Sequence, residues 1–219
     1  MSFDSIRTAW RQRFGRAPAP SATRWIVLDV ESTGLDADRD RLLAVAAIAM
    51  RMGGTRPQID LADSFDAVLH HDPGAAGAVD KANVLVHGIG VGAMRAGHAP
   101  ASVLRQFAHW AGDAPRLCFH VDFDRRLIER AEHEHLGCAQ AACWLDIAPL
   151  AEVTHPEVRA RALDEWLAHF GIPCLKRHQA AADALASAEL LLRLWPRLRR
   201  EGAIDARSLA RLAAARHWV

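Results

Sequence analysis

A single α/β domain, built as a mixed sheet with helices on its faces, is predicted by three observations. Strand-like runs come first in the chain, at 25–30, 42–50 and 58–69. Strand–helix alternation follows, with RLCF at 116–119 leading into a helix and CWLDI at 143–147 leading into others. Strands followed by strand–helix alternation suit a sheet covered by helices rather than a bundle or a sandwich. Finally, 219 residues with 51% hydrophobic and 24% charged residues are enough for one substantial soluble core with short extensions.

Taken in order, residues 3–15 read as a short amphipathic helix and RAPAPSA as a linker, so 1–22 form an N-terminal extension. The first strand, WIVLDV, is apolar up to Leu28. LLAVAAIAM at 42–50 is apolar throughout, too short to span a bilayer, and reads as a buried strand. QIDLADSFDAVL at 58–69 alternates roughly, as a strand with one wet face does. The Gly-rich stretch 74–97 reads as loops with one short helix. PASVLRQFAHWA at 100–111 spaces Val103, Leu104, Phe107 and Trp110 along one helical face. Helices are expected near 123–136, 160–170 and 178–195; in the last, Leu185, Leu190 to Leu192 and Leu194 pack onto the sheet. RSLARLAAARHWV closes the chain as a helix, so the domain spans 23–200 with a helical extension at 201–219.

Charge and cysteines narrow the setting. The net charge of +1 conceals +4 over residues 1–24 and +5 over 193–219, leaving −8 between them. Basic ends around an acidic centre suit a protein that holds a polyanion while binding cations; solvated faces of Arg-rich terminal helices give the same numbers. Cys118, Cys138, Cys143 and Cys174 form no CxxC pair. With no apolar signal segment at the start, a reduced cytoplasmic protein without a membrane span is expected.

The chemistry sits in DVESTGL at 29–35. In a strand, Asp29 and Glu31 point to the same face while Leu28 and Val30 point to the other. Two carboxylates so close repel each other unless a cation lies between them. Asp124 falls in the first turn of the helix after the fourth strand, and Asp183 follows His178 by five residues on the long helix. If Asp29, Glu31, Asp124 and Asp183 converge, they form an all-oxygen site suited to Mg²⁺ or Mn²⁺ and poor for Zn²⁺.

These motifs, in this order, resemble the DnaQ-like 3′–5′ exonucleases of the DEDD superfamily, which include the proofreading epsilon subunit of DNA polymerase III. DVESTGL is similar to the first motif, Phe123-Asp124 to the second, HQAAADALASA at 178–188 to the third, and VHGIG at 86–90 to a His-Gly-Ile motif between the first two. The resemblance covers roughly residues 25–195. The superfamily divides by a His or a Tyr in the third motif. The chain contains no Tyr, so only the histidine subclass fits.

The resemblance implies a ribonuclease H-like fold: a five-stranded mixed sheet with helices on both faces. It implies that Asp29, Glu31, Asp124 and Asp183 hold two divalent ions, Mg²⁺ or Mn²⁺, and that His178 is the general base. It places Thr33, Gly34, Leu35 and His87 along the 3′-terminal nucleotide, with Gly34 allowing close approach of backbone to substrate. The implied reaction is hydrolysis from the 3′ end of single-stranded nucleic acid, DNA favoured, releasing 5′-nucleoside monophosphates in proofreading or repair. RNA trimming, or a non-catalytic binding module that keeps the fold, are the alternatives. A polymerase or a second copy of the chain is the expected protein partner. One departure stands out: the family's usual His-Asn before the second motif is Phe119-His120 here. His120 is thus a second base candidate, with His178 preferred for its spacing to Asp183.

Other patterns fail on spacing. DADRD at 36–40 resembles a calcium loop, but Arg41 and Ala47 stand where Gly and Glu are needed. His133, His135, Cys138 and Cys143 match no zinc spacing. HGIGVGA does not follow a strand as a dinucleotide fingerprint would. Asp122 reads as a structural carboxylate at a helix start, and Trp10, Trp25, Trp110 and Trp166 read as core.

Overall fold

The computed structural model of the chain describes residues 23–52, 56–72 and 81–215. The expected helix at 3–15, its linker, Trp10 and Trp218 lie outside the described residues.

Five strands form one sheet in the order β3-β2-β1-β4-β5. They are β1 (Arg24–Ser32), β2 (Leu42–Arg51), β3 (Gln58–Val68), β4 (Arg116–Cys118) and β5 (Trp144–Asp146). β2 runs antiparallel to both β1 and β3, whereas β4 is parallel to β1 and β5 parallel to β4. The sheet is therefore mixed. Eight helices are described: α1 (Lys81–His87), α2 (Val91–Ala96), α3 (Pro100–Ala111), α4 (Val121–Leu136), α5 (Ile147–Thr154), α6 (Leu163–Phe170), α7 (Ala180–Arg200) and α8 (Ala206–Ala214). Boundaries fall within a few residues of those expected, and two short helices occupy the Gly-rich stretch instead of one. No helix among the described residues is long and apolar enough to cross a membrane.

The alternation within β1 divides the core in two. Trp25 and Val27 pack on one face with Leu150, Trp166, Leu190, Leu191 and Leu194 from α5, α6 and α7. Ile26, Leu28 and Val30 pack on the other with Val103, Leu104, Phe107, Leu127 and Ile128 from α3 and α4. The i, i+3/i+4 spacing that predicted α3 is the spacing that buries it. α8 also contributes, with Leu209 fully buried in the first cluster.

Two features aim the end of β1 at the site. The pairing with β2 shifts register between Glu31 and Ser32, and such a bulge bends a strand and re-aims its side chains. β1 also outruns β4, whose pairing covers only Ile26 and Val27. The N–H of Val30 therefore has no strand partner on that side, and the Asp124 carboxylate takes it.

Candidate active site

Asp29 and Glu31 continue the face of β1 that α7 covers, one and two strand steps beyond Val27. Asp124 sits in the first turn of α4 and Asp183 in the first turn of α7. Both helix starts place unpaired N–H groups and the positive end of a dipole against a carboxylate. Asp124 and Asp183 are buried, and Asp29 and Glu31 half-buried.

The four carboxylates are electrostatic neighbours. Burial raises the Asp29 carboxyl well above its ordinary range, and the charges of Asp124, Asp183 and Glu31 push it further. Glu31 is pushed up to about 8, first by burial and then by Asp183, against the Ala180 N–H and Arg177, which pull it down. Asp124 is raised by burial too, opposed by the N–H groups of its own residue and of Val30. Glu31 Oε1 is buried without a hydrogen-bond partner. A lone carboxylate oxygen left dry beside other acids fits a hard cation in chemistry and in charge. Among the described residues, however, no three His, Cys, Asp or Glu side chains stand together closely enough, as placed, to cage an ion.

Asp183 is held from three directions. The His178 N–H donates to its Oδ2 at 2.9 Å, the Cys174 thiol lies 3.5 Å from its Oδ1, and Arg177 Nη1 forms an ion pair with that same Oδ1. His178 adopts the left-handed conformation at φ 59°, and His120 does so at 64°. Non-glycine residues are uncommon there and gather at functional sites. His120 directly precedes the first residue of α4, and His178 stands two residues before that of α7; each of these helix starts carries an acid of the group. The His178 side chain is exposed, as is that of His120. His120 is committed elsewhere through its backbone, whose N–H donates to Asp146 Oδ1 at 3.0 Å, and its ring meets Phe119 edge-on.

The residues after β1 fold into a small hydrogen-bonded loop. Thr33 Oγ1 donates to Asp40 Oδ1 at 3.0 Å and accepts from the Arg41 N–H at 2.9 Å, while Asp40 Oδ2 accepts from the Asp36 N–H at 2.7 Å. A Cβ on Gly34 would lie 2.5 Å from Asp40 Oδ2. The Asp40 carboxylate seated against Gly34 thus leaves no room for a side chain there. Leu35 projects from the loop, 91% exposed. α1 is tied to this end of β1 by Asn83 Nδ2, which donates to the Ser32 carbonyl at 2.6 Å. His87, at the end of α1, is buried; its Nδ1 accepts from the Ile89 N–H at 2.9 Å, and its Nε2 has no partner. A Cβ on Gly88 would meet Lys176 Nζ at 3.4 Å, so the α1 loop faces the loop that carries Arg177 and His178.

Sequence reasoning missed three contributors. Asp146 caps α5 through the Ala148 N–H, holds His120, and raises Asp124 by its charge. Its only signal was an acid at the end of CWLDI. Asn83 had no signal at all. Arg177 stood beside His178 in the sequence, but nothing local says which acid it pairs with.

The RNase T exonuclease family matches residues 26–191. A PolC-type DNA polymerase III of Listeria innocua is 29% identical over 171 residues, covering 78% of this chain and 11% of that protein. A DNA polymerase III subunit epsilon-like protein of Rhodobacter capsulatus is 29% identical over 203 residues, covering 91% of this chain and 27% of that one. The chain thus spans about a tenth of the PolC-type relatives and about a quarter of the epsilon-like one. E. coli exonuclease I in complex with a dT13 oligonucleotide superposes with a TM-score of 0.68 at 16% identity, over 81% of this chain and 42% of that one. Cell-death related nuclease 4 superposes at 0.65 with 17% identity, over 78% and 63%. Identities this low speak to fold alone, and the fold is ribonuclease H-like. With the family pattern running from the second residue of the β1 core through most of α7, the chain belongs to the RNase T exonuclease family.

Proposed function

We propose that this exonuclease removes nucleotides from the 3′ end of single-stranded nucleic acid, DNA favoured, and that it does so with two divalent ions, Mg²⁺ or Mn²⁺. The observation that carries the reading is the group of four acids from β1, α4 and α7: the charges of Asp124, Asp183 and Glu31 raise the proton affinity of Asp29, that of Asp183 raises Glu31, and Glu31 Oε1 is unpartnered among them. Asp29, Glu31, Asp124 and Asp183 are the residues that would hold the ions. Bound there, divalent ions supply the charge that acidifies an attacking water and neutralises a phosphodiester in its transition state.

The chain's own side chains account for the rest. His178, exposed beside Asp183, takes the water proton on its imidazole as a general base. The water oxygen bonds to phosphorus as the bond to the 3′ oxygen of the preceding nucleotide breaks, and that oxygen leaves with a proton from solvent. The product is a 5′-nucleoside monophosphate. Leu35 offers an apolar surface to the terminal base, and the Nε2–H of His87 is a free donor at the same end of the sheet. Thr33 and Gly34 shape this loop through Asp40 and thereby present Leu35.

A role in proofreading or repair alongside a polymerase is supported by the polymerase names of the relatives; a cytoplasmic setting and a second copy of the chain as partner belong to the same proposal. Residues 23–200 are proposed as the exonuclease unit, with 1–22 and 201–219 as its extensions. Product analysis tests the reaction. Chromatography of a digest should show 5′-monophosphates, and a phosphorothioate at the 3′-terminal linkage should protect the strand. Release of nucleosides or 3′-monophosphates, or protection only by a 5′ block, would overturn the reading.

A further inference from the structure

Arg177 bridges two acids of unlike setting. Its Nε donates to Oδ1 of Asp164, an exposed residue in the first turn of α6, and its Nη1 pairs by charge with Oδ1 of the buried Asp183. The guanidinium also lowers the proton affinity of Asp29 and Glu31. One cation thus compensates three of the four carboxylates. It cannot leave by losing its proton, since arginine stays charged in proteins.

Resting on the metal-dependent reading above, we propose that Arg177 is the resident counter-cation of the metal-free site: it occupies Asp183 Oδ1, is displaced when a divalent ion binds, and remains tethered by Asp164. A carboxylate oxygen that faces a guanidinium is not free for an ion. With Arg177 in place, the described acids form no ion cage, although their charges and the dry Glu31 Oε1 call for one. Asp164 supplies the outward hold. It is exposed and outside the four-acid group, so the side chain keeps one hydrogen bond when the other contact opens. The competition makes divalent-ion affinity depend on a residue that is not itself a ligand. It also gives the metal-free protein internal charge balance that four bare acids would lack.

The test is calorimetric titration of Mn²⁺ into the full metal-free chain, with no substrate present. Arg177→Gln should tighten Mn²⁺ binding by at least about tenfold, taking as a guide the low end of what an opposite charge within ~4–6 Å does to a carboxylate's affinity for a proton. The same variant should melt earlier than wild type in EDTA and recover most of the difference in Mn²⁺. Asp164→Asn should act in the opposite sense, weakening Mn²⁺ binding by removing the negative charge that competes with Asp183 for the Arg177 guanidinium. Equal or weaker Mn²⁺ binding in a folded Arg177→Gln would overturn the competition while leaving the metal site standing. If Arg177→Gln does not fold, Asp164→Asn decides: weaker binding supports the proposal, and unchanged or tighter binding overturns it. Wild-type protein that binds no Mn²⁺ at all would remove both this proposal and the metal-dependent reading beneath it.

Discussion

The backbone N–H of His178 donates to Asp183 Oδ2 at 2.9 Å, so the histidine and aspartate of the third motif are joined through the main chain and not through the imidazole. The left-handed turn at His178 makes this possible: it folds the N–H back onto the first turn of α7 and leaves the ring free on the surface. The five-residue spacing of the motif therefore also lets Asp183, in the first turn of α7, take the N–H of the turn before the helix.

That geometry separates two roles in one residue. His178→Ala should lower turnover by about 10²–10⁴-fold, as expected for loss of a general base, with Mn²⁺ affinity unchanged. His178→Gly adopts positive φ without strain and should be as slow as the alanine variant while more stable than it. Recovery of near-wild-type turnover in the glycine variant would show that the turn matters and the imidazole does not.

Asp183→Asn removes a charge that faces both Asp29 and Arg177. Turnover on a single-stranded oligonucleotide should fall by at least ~10³-fold, since charge stabilisation by bound metal is worth several kcal/mol. Mn²⁺ binding followed by calorimetry should weaken in parallel. Wild-type turnover would remove Asp183 from the site.

Glu31 gives the metal-free protein a pH dependence of definite sign. Its carboxyl is pushed up to about 8 in the folded chain, against 4.5 ordinarily. Between these values the folded state holds a proton that the unfolded chain has released, so this group's contribution to stability falls as pH rises through the window. In EDTA, Glu31→Gln should be more stable than wild type at pH 8.5, and the gap should narrow steadily towards pH 5. Thermal melts across this range measure it; a gap independent of pH would show that Glu31 titrates normally.

Gly34→Ala tests the loop. The new Cβ must displace the Asp40 carboxylate, which holds Thr33 and the Asp36 N–H. Overpacking of this kind costs about 1–3 kcal/mol, readable by denaturant unfolding. Adding Asp40→Ser should recover part of that loss, because residues in direct contact are not additive. A Gly34→Ala variant as stable as wild type would mean that Asp40 moves aside freely.

Much of this was legible from the chain because the signals are local. The apolar runs of β1 and β2 and the helical spacing of Val103, Leu104, Phe107 and Trp110 depend on neighbours a few residues away, and they set which faces are buried. The acids of DVESTGL, Phe123-Asp124 and HQAAADALASA were visible as motifs, and the first turns of α4 and α7 are where Asp124 and Asp183 lie. What escaped depends on distant partners. Nothing near Val30 says that its N–H passes the end of β4 and meets Asp124. Nothing near Arg177 selects Asp183 over Asp164 or announces that it pairs with both. α5 was hidden because IAPLAEVT reads equally well as a continuation of the strand before it, and Asp146 caps it only once the chain has turned. At Gly34 the neighbour that fills the space a side chain would take, Asp40, is six residues on.

The most direct measurement is digestion of 5′-labelled single-stranded DNA and RNA oligonucleotides by the full chain, with Mn²⁺ and with EDTA. The account predicts a ladder that shortens from the 3′ end, is stronger on DNA, and is absent with EDTA. Shortening that persists in EDTA, or release of the 5′-labelled nucleotide as the first product, would contradict it.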